Sequence, residues 1–218
     1  MYYMPSAETS ERRRMVNTFL QGMGIGAGLI IAIGAQNAFV LTQGIRRQHH
    51  WLIASLCSFS DMLLIFIGAA GIGGIVAENH VLQKGAAWTG AIFLFCLGAK
   101  ACRGALTTKH LQAGHEVAVG VRTVVLTTLA LTFLNPHVYI DTFLLLGSIG
   151  GQYQSVERYY FALGASASSF LWFFALSVAG TVLAPLFQKS AAWRLLDLLV
   201  WITMWGIAWQ LVSRFLKV

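Results

Sequence analysis

An aspartate at position 61 stands well inside an apolar run from Trp51 to Val76, where a carboxylate can serve as counter-ion to a cationic ligand or as a proton carrier. The alternative is a buried carboxylate tied to Ser and Thr hydroxyls, which fixes packing and nothing more. A second group lies in the run from Val121 to Ile149. Asn135 is suited to cap a helix start and Pro136 to be the first residue of the helix that follows, the order those two residue types prefer. A helix that restarts in mid-membrane presents unpaired N–H groups and the positive end of its dipole, a natural seat for a carboxylate; a plain proline kink is the competing reading. His137 and Asp141 are four residues apart on one helical face, spaced for a proton relay or for anchoring the half-helix at a watery vestibule. Gln36 and Asn37 place two amides where Gly34 loosens the first apolar run, able to orient an ammonium or a carboxylate, or simply to hold two helices together.

The elements that must carry these groups are set by composition. Of 218 residues, 57% are hydrophobic and 11% charged, too apolar for a water-soluble domain of this size. Six apolar segments can be marked: Val16 to Leu41, Trp51 to Val76, Ala86 to Leu106, Val121 to Ile149, Tyr159 to Leu183 and Trp193 to Phe215. Each approaches or exceeds the roughly 20 helical residues needed to cross a hydrocarbon core of about 30 Å. The expected class is an all-α polytopic membrane protein. Asp61 falls about ten residues into its segment, near mid-depth, where an ionised side chain costs roughly 2.5–3.5 kcal/mol or more by insertion scales.

The polar loop 107–120 divides a single transmembrane domain, residues 1–218, into halves of about 16–106 and 121–215. Ile33 to Val40 in the first segment corresponds to Phe133 to Ile140 in the fourth, and Ser58-Phe59-Ser60-Asp61 corresponds to Ser166-Ala167-Ser168-Ser169. Three segments per half oblige the second half to enter from the opposite side, so the expectation is two three-helix inverted repeats with a broken fourth segment. The basic residues give seven on one side and eight on the other if all six segments cross, which leaves orientation open.

The net charge of +7 sits in connections and chain ends, the pattern of membrane flanks rather than of a nucleic-acid surface. Cys57, Cys96 and Cys102 have no C-x-x-C spacing and read as reduced, packed thiols. His110, His115 and Glu116 lack a metal-site pattern, and no nucleophile–base spacing suggests an enzyme; neither metal nor cofactor is expected. Asp197 reads as an interfacial partner of Arg194, and Trp51, Tyr159, Tyr160 and Trp193 as interfacial anchors. Small residues at Gly22-Gly24-Gly26-Gly28, Gly68-Gly71 and Gly164-Ser168 suit close helix contact.

The block Gly34-Ala35-Gln36-Asn37-Ala38-Phe39-Val40-Leu41, followed by Gln43-Gly44-Ile45-Arg46-Arg47, resembles the first-segment signature of the lysine/arginine exporter family (LysE/ArgO). Ser60-Asp61, the run Thr132 to Thr142 with its Asn-Pro-His-x-Tyr-x-Asp core, and Ala167 to Phe173 resemble further family blocks in the same order. The resemblance implies a multi-pass protein of the bacterial inner membrane that exports lysine, arginine or close analogues along the membrane gradient. It points to Asp61, Asn135, Pro136 and Asp141; Ala35, where some relatives carry Pro, implies a gentler first break. Export of neutral amino acids or of metal ions is the alternative. The implied partners are a basic amino acid and the bilayer, with a homo-oligomer left open.

Overall fold

The computed structural model describes residues 7–31, 34–70, 80–106, 120–153, 156–188 and 190–216. Among them every regular element is helical. Helix α1 covers Ala7–Ile30 and α2 covers Ala35–Ile45; α3 is His50–Ala69, α4 His80–Leu106 and α5 Val121–Phe133. A short α6, Pro136–Tyr139, runs into a π-helical stretch, Ile140–Leu146, and then α7, Gly147–Gly150. The chain closes with α8, Glu157–Leu183, a 3₁₀ turn, Ala184–Gln188, and α9, Ser190–Leu216. The helical class is as expected, and the fourth segment is broken.

Three described helical stretches are long and apolar enough to cross a membrane, His50–Ala69, Glu157–Phe187 and Ala191–Trp209; α1 and α2 together make a fourth if counted as one broken span. Large side chains on them remain exposed: Leu171 at 66%, Val182 at 70% and Trp209 at 72%. Such a surface suits hydrocarbon, where helices with internally satisfied backbones are stable. Trp51 and Tyr159 are exposed in the opening turns of α3 and α8, as interfacial anchors would be. The first apolar segment is divided between α1, which ends at Ile30, and α2, which starts behind Gly34, extended at φ −126° and ψ 175°.

Contacts group the chain into two units. One comprises residues 1–32, 58–78 and 139–172, the other 33–57, 79–138 and 173–218. The first half of the sequence is thus divided after residues 32, 57 and 78 and the second after 138 and 172; the first and second segments pass between the units in the opposite order to the fourth and fifth.

In the first unit, Ile65, Ala69, Leu146, Phe161, Ala162 and Ala165 form the buried core. Here α1 and α8 meet backbone to backbone: a methyl on Gly22 would strike the Phe161 carbonyl, and one on Gly164 the Phe19 carbonyl. Gly26 lies equally close, 2.9 Å from its would-be Cβ to Ala165 Cα, whereas Gly24 and Gly28 face open space. The four-glycine run is therefore a contact stripe at alternate members only; Gly71 lies outside the described residues. In the second unit, Ala35, Ala91, Leu94, Leu131, Met204 and Ala208 make one core cluster from α2, α4, α5 and α9. Gly44 of α2 and Gly180 of α8 give a second close crossing: a Cβ on Gly44 would lie 2.8 Å from the Ser177 carbonyl, and one on Gly180 2.7 Å from that of Leu41.

Candidate functional site

Asp61 occupies the middle of α3 and is 6% exposed. Ser169 of α8 donates a hydrogen bond from Oγ to Asp61 Oδ2 at 2.7 Å. Around them Ser58, Ser60, Ser166 and Ser168 are buried; Ser168 donates to the Ala165 carbonyl at 2.7 Å, while Ser166 Oγ has no partner among the described residues. Asp141, half-buried in the π-helical stretch of the same unit, lies within electrostatic reach of Asp61. Among the described residues no cation pairs with Asp61. A buried carboxylate with one neutral hydroxyl partner and a second acid nearby is short of positive charge, which makes the pocket a receptor for a proton or a cation. The hydrogen bond to serine expected of a structural carboxylate is present too, but one hydroxyl does not neutralise the charge.

The fourth-segment break is short. Leu134 caps the end of α5 at φ −90° and ψ 0°, Asn135 is half-buried, and α6 begins at Pro136. The Val138 N–H already donates to the Asn135 carbonyl at 3.1 Å, and proline carries no N–H. The side-chain surroundings of Pro136 and His137 lie outside the described residues. His137 lies in α6 and Asp141 in the π-helical stretch that follows it. Nothing in the residue types announces that π-helical stretch.

Gln36 and Asn37 open α2, each 8% exposed. Gln36 Nε2 is fully buried and has no hydrogen-bond partner among the described residues, and Gly34 supplies no side-chain cap. Ala35 beside them belongs to the cluster that includes Leu131 of α5, one turn before the second break. The two helix restarts, at Ala35 and at Pro136, therefore lie in one unit.

Two features differ from the sequence reading or were absent from it. The group acting electrostatically on Asp197 is Arg46, not Arg194: the Arg46 guanidinium sits 5.2 Å over the Trp193 ring, and bare Gly104 lets the Asp197 carboxylate approach α4. Sequence neighbourhood favoured Arg194, but only packing brings the end of α2 beside α9. The other is a 2.7 Å hydrogen bond between His50 Nδ1 and Ser177 Oγ, the latter fully buried. Ser177 is the one hydroxyl in the apolar run 170–180 of α8, which was the available signal. No group of three His, Cys, Asp or Glu converges among the described residues, and no disulfide joins Cys57, Cys96 or Cys102. His110, His115 and Glu116 lie outside the described residues.

The family description "LysE type translocator" matches residues 27–214. The arginine exporter protein ArgO of Pectobacterium carotovorum is 43% identical over 201 residues, covering 92% of this chain and 98% of that protein. The proteins of the same name from Klebsiella pneumoniae and Salmonella schwarzengrund are 43% and 42% identical, covering 92% of this chain and 95% of each. No solved structure matches. With the family pattern spanning the helical region from the end of α1 nearly to the end of α9, the chain belongs to the LysE type translocator family.

Proposed function

We propose that this protein exports basic L-amino acids, arginine foremost, across the bacterial inner membrane. The observation that carries the reading is Asp61, a buried carboxylate on a spanning helix with, among the described residues, a single serine partner and no cation. A guanidinium or ammonium supplies the charge that is missing there. The relatives that cover 92% of the chain are named arginine exporters, which favours the guanidinium.

In this reading Asp61 receives the cationic side chain and Asp141 tunes the charge it feels. The polar groups at the two helix interruptions, Gln36 and Asn37 at one and Asn135 and Pro136 at the other, meet the α-amino and α-carboxylate groups in the course of transport. His137 contributes to coupling. Transport proceeds by gradient-driven alternating access of two inverted three-helix repeats. Two observations support the repeat. Position 61 hydrogen-bonds position 169, its own counterpart in the other half, and self-matching contacts arise where a two-fold relation has its axis. The opposite order in which the first and fourth segments, and the second and fifth, divide between the compact units supports it as well.

The test is rescue from toxicity. Cells sensitive to canavanine and to arginine or lysine dipeptides, given this chain, should survive and release the basic amino acid into the medium. Protection against a neutral amino acid or a transition metal instead, with none against canavanine, would replace the proposed substrate.

A further inference from the structure

We propose that the start of α2 is the carboxylate subsite of the translocator, with Gln36 as its specificity-determining side chain; this rests on the amino-acid export reading above. An α-helix leaves its first N–H groups without intrahelical partners, and a side-chain cap or a ligand must meet them. At α2 the preceding residue is glycine and offers no side-chain cap, and Ala38 N–H donates to the Gly34 carbonyl at 3.0 Å. The opening turn is not in water, where solvent would satisfy it. Ala35 is 1% exposed, Gln36 8%, and Ala35 is set in the apolar cluster with Ala91, Leu94, Leu131, Met204 and Ala208.

Gln36 is the independent sign of a ligand. Its Nε2 is a buried donor with no partner among the described residues. Helical side chains lean toward the helix N-terminus, so a glutamine at the second position carries its amide back over the uncapped start. The backbone N–H groups of Ala35 and Gln36, the positive end of the dipole and the Gln36 amide N–H then bear on one place, and each of them is matched by an acceptor placed there. An amino acid brings one strong acceptor to an exporter, its α-carboxylate. The second interruption is the poorer candidate, because Pro136 has no N–H, that of Val138 is already taken by Asn135, and α6 is only four residues long.

The experiment is competition in proteoliposomes of the full chain, using counterflow of labelled arginine with two unlabelled competitors: arginine, and agmatine, which is arginine without its carboxylate. Wild type should prefer arginine. In Gln36→Leu the arginine half-inhibition concentration should rise on the order of tenfold, the loss of one charge-assisted hydrogen bond, while that for agmatine stays put. Gln36→Glu should go further, repelling arginine's carboxylate while leaving agmatine bound. Gln36→Asn, shorter but still a donor, should recover part of the preference, and all three should elute as monodisperse proteins. Unchanged arginine preference in Gln36→Leu overturns the subsite, as does equal weakening of both competitors in Gln36→Leu and Gln36→Asn. Failure of wild type to carry arginine at all would instead strike the export reading on which the subsite depends.

Discussion

A carboxylate held in a spanning helix is stable only while something offsets its charge, and at Asp61 the described protein supplies one serine hydroxyl at 2.7 Å. The remaining demand sets the expected mutational response. Asp61→Asn keeps the shape and a hydrogen bond with Ser169 but removes the charge. Arginine export per unit of membrane-inserted protein should fall by about tenfold to a hundredfold, the scale of one charge-assisted contact. Ser169→Ala removes only the neutral partner, a loss of about 1 kcal/mol, and should lower export less than tenfold. Efflux of preloaded label from cells, normalised to immunoblot signal, measures both. Equal, full activity of Asp61→Asn would show that the carboxylate serves packing alone. Asp61 was legible in the sequence because charge is rare in such a run. Its nearness to Asp141 was not, since it depends on how α3 and the π-helical stretch pack.

At the scale of the element, glycine spacing separates contact from mere flexibility. Gly22, Gly26 and Gly164 lie where α1 and α8 touch through their backbones, while Gly24 faces open space. Gly164→Leu should therefore force the helices apart and lower stability by about 1–3 kcal/mol, seen as a reduced melting temperature in detergent. Gly24→Ala should be neutral or stabilise by up to about 1 kcal/mol, because alanine is the better helix former. A drop of similar size in both would remove the close crossing as the explanation. The helices themselves were legible from apolar length, and the break at Asn135-Pro136 from its residue types. The extended backbone of Gly34 before Ala35 was not, because a glycine tolerates helix and extended chain alike, and the surroundings decide. Arg46 acting on Asp197 escaped for a similar reason: 151 positions separate them, and a pattern search along the chain favours the neighbour three residues away.

For the whole molecule, the exposed apolar side chains of α3, α8 and α9 make lipid the surrounding solvent, so charge crosses only by way of groups such as Asp61. A carrier built on such a group has two separable activities. Net export requires the empty carrier to return, which the gradient drives; exchange of one amino acid for another requires only that the loaded carrier alternate. In proteoliposomes with an imposed gradient, arginine should accumulate uphill, and a protonophore with valinomycin should abolish that accumulation. Arginine on the far side should nonetheless accelerate movement of label from the near side after the gradient has collapsed. Asp61→Asn should lose both activities, because binding precedes either. A channel would behave differently: flux would rise with concentration, and arginine on the far side would slow net movement instead of accelerating label exchange. Absence of acceleration by far-side arginine in an otherwise active preparation would rule out alternating access, whatever the substrate.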